Sequence, residues 1–235
     1  MSRPGRAFAY RGGAADSLGY LVLPEGAGPW PGVLVAPAFG GLSDFERDTA
    51  DRLAGMGYAA LCVDYYGGGA RAADRDEASG WMGALMADRP EFARRMQGAL
   101  AALGALPQVD AARLGAMGFC LGGKGVLDLA RSGAAFRAGV SLHGIFDAPL
   151  EGSQPMQAAL LVLHGWDDPL APPEAVTALA AELTAHCPDW QIQAFGHTGH
   201  AFTNPAAQAP GMGYSAPAAA RSWAALDRFF AEHLH

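Results

Sequence analysis

The chain has 235 residues, 51% of them hydrophobic and 17% charged, with a formal net charge of -7. That balance suits a packed core and excludes a disordered chain, and a pI near 5.4 argues against a nucleic-acid or anionic-membrane surface. No apolar run reaches the roughly 18 residues of a bilayer span. The opening stretch "MSRPGRAFAYRGG" has no signal-peptide pattern, and three scattered cysteines at 62, 120 and 187 point to a reducing, cytoplasmic setting rather than a disulfide framework.

In chain order, "LGYLVLP" (18–24) reads as a strand and "GVLVAPA" (32–38) as a buried one. Residues 43–57 form an amphipathic helix that Ser43 and Glu46 can open as a capping box and Gly57 can end. A strand over 58–66 leads into a loop with Gly67-Gly68-Gly69, Trp81 and Met82, and a helix follows over 90–107. Next come a strand over 112–119, a helix over 121–132, and continuous apolar strands over 137–144 and 158–165. A proline-opened helix (172–187), a last strand (190–195) and an amphipathic helix (216–234) close the series.

Alternating buried strands and helices predict an α/β fold: one domain over 1–235 with a mostly parallel central sheet flanked by helices on both faces. Ligands of such sheets bind beyond the C-terminal strand ends. Three turns fall there, "FCLGGK", "HGWDDPLAP" and "GHTGHAF".

The first holds Cys120 within Gly118-Phe119-Cys120-Leu121-Gly122, the G-x-C-x-G form of a nucleophile elbow. A sharp strand-to-helix turn needs neighbours without side chains, and a helix N-terminus favours a thiolate. A phosphate-binding loop is the competing reading of Gly118 to Lys124, the only lysine in the chain. Gly125, however, stands where the Mg²⁺-binding Ser or Thr belongs. A packed core cysteine is the plain alternative. Asp167 and Asp168 follow one strand, and His197 and His200 follow the last. The order nucleophile, acid, histidine is that of a hydrolase triad, in which a histidine accepts the thiol proton and a carboxylate orients it. His197-x-x-His200 without a glutamate is a poor metal motif, so neither a metal nor any other cofactor is expected.

These residues resemble the dienelactone hydrolases (carboxymethylenebutenolidases) of the α/β-hydrolase superfamily, along nearly the whole chain. The likeness runs through "VLVAPAFGGLSDFERDTADRLAGMGYAALCVDYYG", "GFCLGG", the G-x-x-D-x-x-x-P run from Gly165 to Pro172, and "GHAFTNP". The resemblance implies an α/β-hydrolase fold without a large cap domain, Cys120 as nucleophile, Asp168 as acid and His200 as base. His197 and Asp167 then become turn or supporting residues. It also implies an oxyanion hole from the N–H groups of Leu121 and Ala38. Two positions depart from the family: Pro37 stands where a glutamate contacts the thiol, and Asn204 where an arginine holds the substrate carboxylate. Arg71, Arg75 and Arg89 are alternative sources of an anion site, against the plainer reading of each as a free, solvated arginine.

The expected substrate is a small ester or lactone in a pocket walled by Phe39, Tyr65, Trp81 and Phe202, with no nucleic-acid or membrane partner and either a monomer or a homodimer. A thioesterase or acyltransferase on the same triad, and a weakly active binding protein on the same scaffold, are the alternatives.

Overall fold

A computed structural model describes residues 4–149 and 152–235. Eight strands form one sheet: β1 (Arg6–Gly12), β2 (Ala15–Val22), β3 (Trp30–Ala36), β4 (Ala59–Cys62), β5 (Val109–Phe119), β6 (Ala138–Leu142), β7 (Ala159–Gly165) and β8 (Trp190–Phe195). Their spatial order is β1-β2-β4-β3-β5-β6-β7-β8. β2 runs antiparallel to both β1 and β4, and all pairs from β4 to β8 are parallel.

Among the described residues, six helices cover the sheet: α1 (Asp44–Gly55), α2 (Arg75–Ala87), α3 (Arg89–Gly104), α4 (Leu121–Arg131), α5 (Pro173–His186) and α6 (Ala216–Leu234). The strand pleat sends successive side chains to opposite faces. In β3, Leu34 and Ala36 join the core with α3, α4 and α5, whereas Val33 and Val35 join the core with α1 and α6. Burial on both faces is why these strands read as unbroken apolar runs. The fold is thus the mostly parallel α/β-hydrolase sheet with helices on both sides, and among the described residues no large cap domain stands over it.

The structure differs from the sequence reading in four elements. β1 departs from the sequence reading: "RAFAYRG" is mostly exposed and is ordered by pairing along β2, with Phe8 and Tyr10 packed on the core. α2 lies where a loop was expected. Gly80 and Gly83 weaken its helical signal, but Asp74 caps it by accepting the Glu77 N–H at 2.9 Å. The strand over 58–66 shortens to β4, because Asp64 ends it. That buried carboxylate accepts the N–H groups of Leu18, Tyr66, Gly67 and Gly69, so the glycine run is pinned rather than free. A two-residue hairpin, β9 (Gln208–Ala209) with β10 (Met212–Gly213), packs beside the last turn.

Candidate active site

Cys120 stands between β5 and α4 with φ 55° and ψ -113°, a left-handed backbone that a side-chain-bearing residue seldom adopts. The flanking glycines make this turn possible. A Cβ on Gly118 would collide with the Gly122 backbone, and one on Gly122 with the Ala36 carbonyl. Lys124, one turn along α4, is buried, and its Nζ donates to Asp147 Oδ1 at 2.7 Å. It ties α4 to the segment after β6, and the phosphate-loop reading has no support.

The structure buries the pair that the family resemblance implies and leaves their neighbours outside. Asp167 and His197 are exposed, whereas Asp168 and His200 are buried. His200 Nδ1 lies 2.6 Å from Asp168 Oδ2. On its other side the imidazole meets Cys120, where its buried Nε2 stops short of a full hydrogen bond. Burial opposes protonation of this ring, but the Asp168 carboxylate and Cys120 together override it and raise the His200 pKa from 6.5 to about 9. The His200 turn is held by the small hairpin: His200 N–H donates to Gly211 O at 2.9 Å, and Gly213 N–H to His200 O at 3.1 Å. Among the described residues, no group of three or more His, Cys, Asp or Glu is placed to hold a metal ion.

Cys120 and His200 open on a cavity of about 400 Å³. Phe39, Phe45, Met82, Phe119, Ile145 and Leu170 supply apolar wall, and Glu46, Arg75, Asn204 and Gln208 supply polar groups. Of the four aromatic residues expected to wall the pocket, only Phe39 does so. Tyr65 lies behind the loop after β3, and its hydroxyl donates to the carbonyls of Pro37 and Ala38. Its neighbour Tyr66 donates to the Phe39 carbonyl at 2.8 Å. Trp81 sits on α2 in a separate cleft with Tyr66 and Arg95, and Phe202 is fully buried against Phe195 and His143. All three were misplaced for one reason: proximity to a strand end does not say which way a side chain turns.

Of the candidate arginines, Arg75 is exposed at the cavity mouth. Arg89 is bound instead by Asp128 Oδ1 at 2.7 Å and Asp147 Oδ2 at 2.9 Å, and Arg71 is exposed outside the lining. Ala38 N–H points to Glu46 Oε1 at 3.4 Å, a long bond. Glu46 also accepts from Ser43 N–H and Ser43 Oγ, so the expected capping box doubles as a brace for the loop that carries Ala38.

His143 is the site residue that the sequence reading passed over. It directly follows β6, is buried, and lines the same cavity. The only signal for it was a histidine at yet another strand end on the ligand-binding edge.

A sequence-family profile described as the dienelactone hydrolase family matches residues 18–234. A solved dienelactone hydrolase-like promiscuous phosphotriesterase, P91, from metagenomic libraries is 38% identical, with a TM-score of 0.95 over 100% of both chains. A second solved structure, m3DLH, is 39% identical, with a TM-score of 0.94 over 99% of each chain. A Bradyrhizobium protein described as a probable 2-oxo-3-(5-oxofuran-2-ylidene)propanoate lactonase is 26% identical over 195 residues, 79% of this chain and 78% of its own. With residues 18–234 matched by the family profile and the fold shared over nearly all of its length, this chain belongs to the dienelactone hydrolase family and is a hydrolase of esters or lactones.

Proposed function

We propose that the protein cleaves small esters or lactones through a covalent acyl-thioester on Cys120, with His200 moving the proton and Asp168 orienting it. The observation that carries this reading is the placement of one buried imidazole between the Asp168 carboxylate and Cys120. A ring with a pKa of about 9 holds its proton at neutral pH, as the acid that protonates the leaving alkoxide must.

In the first half-reaction, the Cys120 Sγ lone pair bonds to the substrate carbonyl carbon, and the carbonyl π electrons move onto its oxygen. The N–H groups of Leu121 and Ala38 receive that oxyanion, which replaces the long Ala38 contact to Glu46. Collapse expels the alkoxide, which takes the proton from His200. Neutral His200 then deprotonates a water molecule, whose oxygen attacks the thioester. The acid leaves, and Cys120 departs as thiolate.

Because thiolate is a good leaving group, lactones and aryl or enol esters suit this site better than amides. A cavity of about 400 Å³ with mainly apolar walls fits a small substrate. Turnover of a lactone and a p-nitrophenyl ester by the wild type, and its loss in Cys120→Ala, tests the reading; an active Cys120→Ala overturns it.

A second activity is favoured by one comparison, the 38% identity to P91 over the full chain. On that reading Cys120 also attacks phosphorus in a neutral phosphotriester and expels an aryloxide. A p-nitrophenyl dialkyl phosphate in the same assay tests it, and absence of p-nitrophenolate release excludes it.

A further inference from the structure

We propose that His143 is a positioning residue that ties the Cys120 elbow to the turn carrying His200. The inference rests on the triad reading above, and it concerns a side chain that the proposed chemistry does not itself use.

The geometry is specific. Cys120 N–H donates to His143 Nδ1 at 3.2 Å, sharing that proton with Leu142 O at 3.1 Å. An Nδ1 that accepts leaves the ring proton on Nε2, and Nε2 lies 2.8 Å from Thr203 Oγ1. One imidazole therefore joins the backbone of the nucleophile to a residue three positions beyond His200. Its ring also meets the His200 ring edge-on, with centroids 5.2 Å apart.

His143 is held in place from all sides. Phe119 stacks on it at 5.9 Å and Phe202 packs edge-on at 5.2 Å. Its own N–H donates to Leu163 O at 2.8 Å, and its φ of 39° is left-handed. A core histidine needs only that its two nitrogens be satisfied. Here both partners belong to the catalytic segments, and such strain persists only where the surroundings over-determine it.

The link also needs a neutral ring. Burial chiefly, and neighbouring His200 secondarily, hold the His143 pKa well below 6.5. The titratable groups facing it are His200 and Cys120; Phe119, Phe202 and Thr203 bring no charge. The two histidines are thus driven apart, His200 towards the charged form and His143 towards the neutral one. Protonated His143 would present Nδ1–H to Cys120 N–H, two donors with no acceptor between them.

The test uses the full-length protein and p-nitrophenyl acetate. His143→Leu removes both bonds, His143→Gln offers an amide oxygen and N–H in their place, Thr203→Val cuts only the outer link, and Thr203→Ser restores its hydroxyl. The expected result is a kcat roughly 10- to 100-fold lower in His143→Leu, as for a misplaced reacting group, with KM within about twofold. Thr203→Val should lose less and Thr203→Ser should recover. The double variant His143→Leu/Thr203→Val should be no worse than His143→Leu alone. The pH midpoint for iodoacetamide alkylation of Cys120 should shift in His143→Leu and in Thr203→Val, a change that simple loss of packing would not produce.

Wild-type kcat with an unshifted alkylation profile in Thr203→Val overturns the proposal, even where His143→Leu fails to fold. Losses that add in the double variant overturn it too. An active Cys120→Ala would sink the triad and this inference together, whereas an inactive Cys120→Ala beside an unchanged Thr203→Val sinks this inference alone.

Discussion

His200 Nδ1 and Asp168 Oδ2 stand 2.6 Å apart, with side chains 2% and 0% exposed. At that burial the pair is not screened by solvent, so the carboxylate controls both the orientation and the charge of the imidazole. The partners come from the ends of β7 and β8, and each is fixed by its own turn.

Replacing that carboxylate with an amide should cost far more in rate than in fold. Asp168→Asn is expected to lower kcat roughly 10³- to 10⁴-fold by releasing the tautomer. Steady-state kinetics on a chromogenic ester would check this; a loss under tenfold would deny Asp168 its orienting role.

The raised His200 pKa predicts how activity and stability depend on pH. In the proposed mechanism the leaving group takes its proton from imidazolium, so the activity should fall as pH rises through about 9. A folded-state pKa above the ordinary 6.5 means that the protonated ring contributes its full stability below pH 6.5 and loses it as pH rises through about 9. Without the carboxylate, the alkaline limb of kcat/KM should move to lower pH in Asp168→Asn. Its stability deficit in urea should be largest below pH 6.5 and shrink towards pH 9.

Tyr65 acts on the site from behind the cavity wall. Tyr65→Phe removes the donor to the Pro37 and Ala38 carbonyls, so the loop bearing the Ala38 N–H should loosen. The expected stability loss is about 1–3 kcal/mol for carbonyls left without a partner. A kcat lower by roughly tenfold, part of what an oxyanion donor supplies, should accompany it. Trp81→Ala, outside the cavity, should leave KM unchanged.

Gly122→Ala places a methyl group against the Ala36 carbonyl. β3 and α4 would have to separate, at a cost of about 1–3 kcal/mol. Thermal unfolding measures this, and an unchanged midpoint would contradict the close packing.

Outside the cavity lining, Arg131 is 2% exposed and pairs with Asp128 at 3.0 Å and with Glu182 at 2.7 Å. Arg131→Ala leaves buried Asp128 with Arg89 alone and Glu182 without its arginine, and should cost about 1–3 kcal/mol. Per folded molecule, kcat should stay at the wild-type value, which separates this network from catalysis in one urea titration and one assay.

The α/β alternation, the parallel sheet and the elbow at Cys120 were legible in the residue order, because continuous apolar strands and closely spaced glycines are local patterns. So was the set of turns on the ligand-binding edge, since chain direction alone puts successive parallel-strand ends together. Side-chain direction was not legible. The family pattern, not side-chain direction, marked Asp168 over Asp167 and His200 over His197, and the structure buries that pair. Packing turned Tyr65 and Phe202 away from the cavity and brought His143 into it. α2 escaped notice because Gly80 and Gly83 blur its period, and β1 because its pairing with β2 lends it an order its own residues do not signal. Local sequence determined where each chemical group sits along the chain. Only the tertiary structure decided which groups meet, because contacts across strand ends depend on register, twist and rotamer, which leave no period in the sequence.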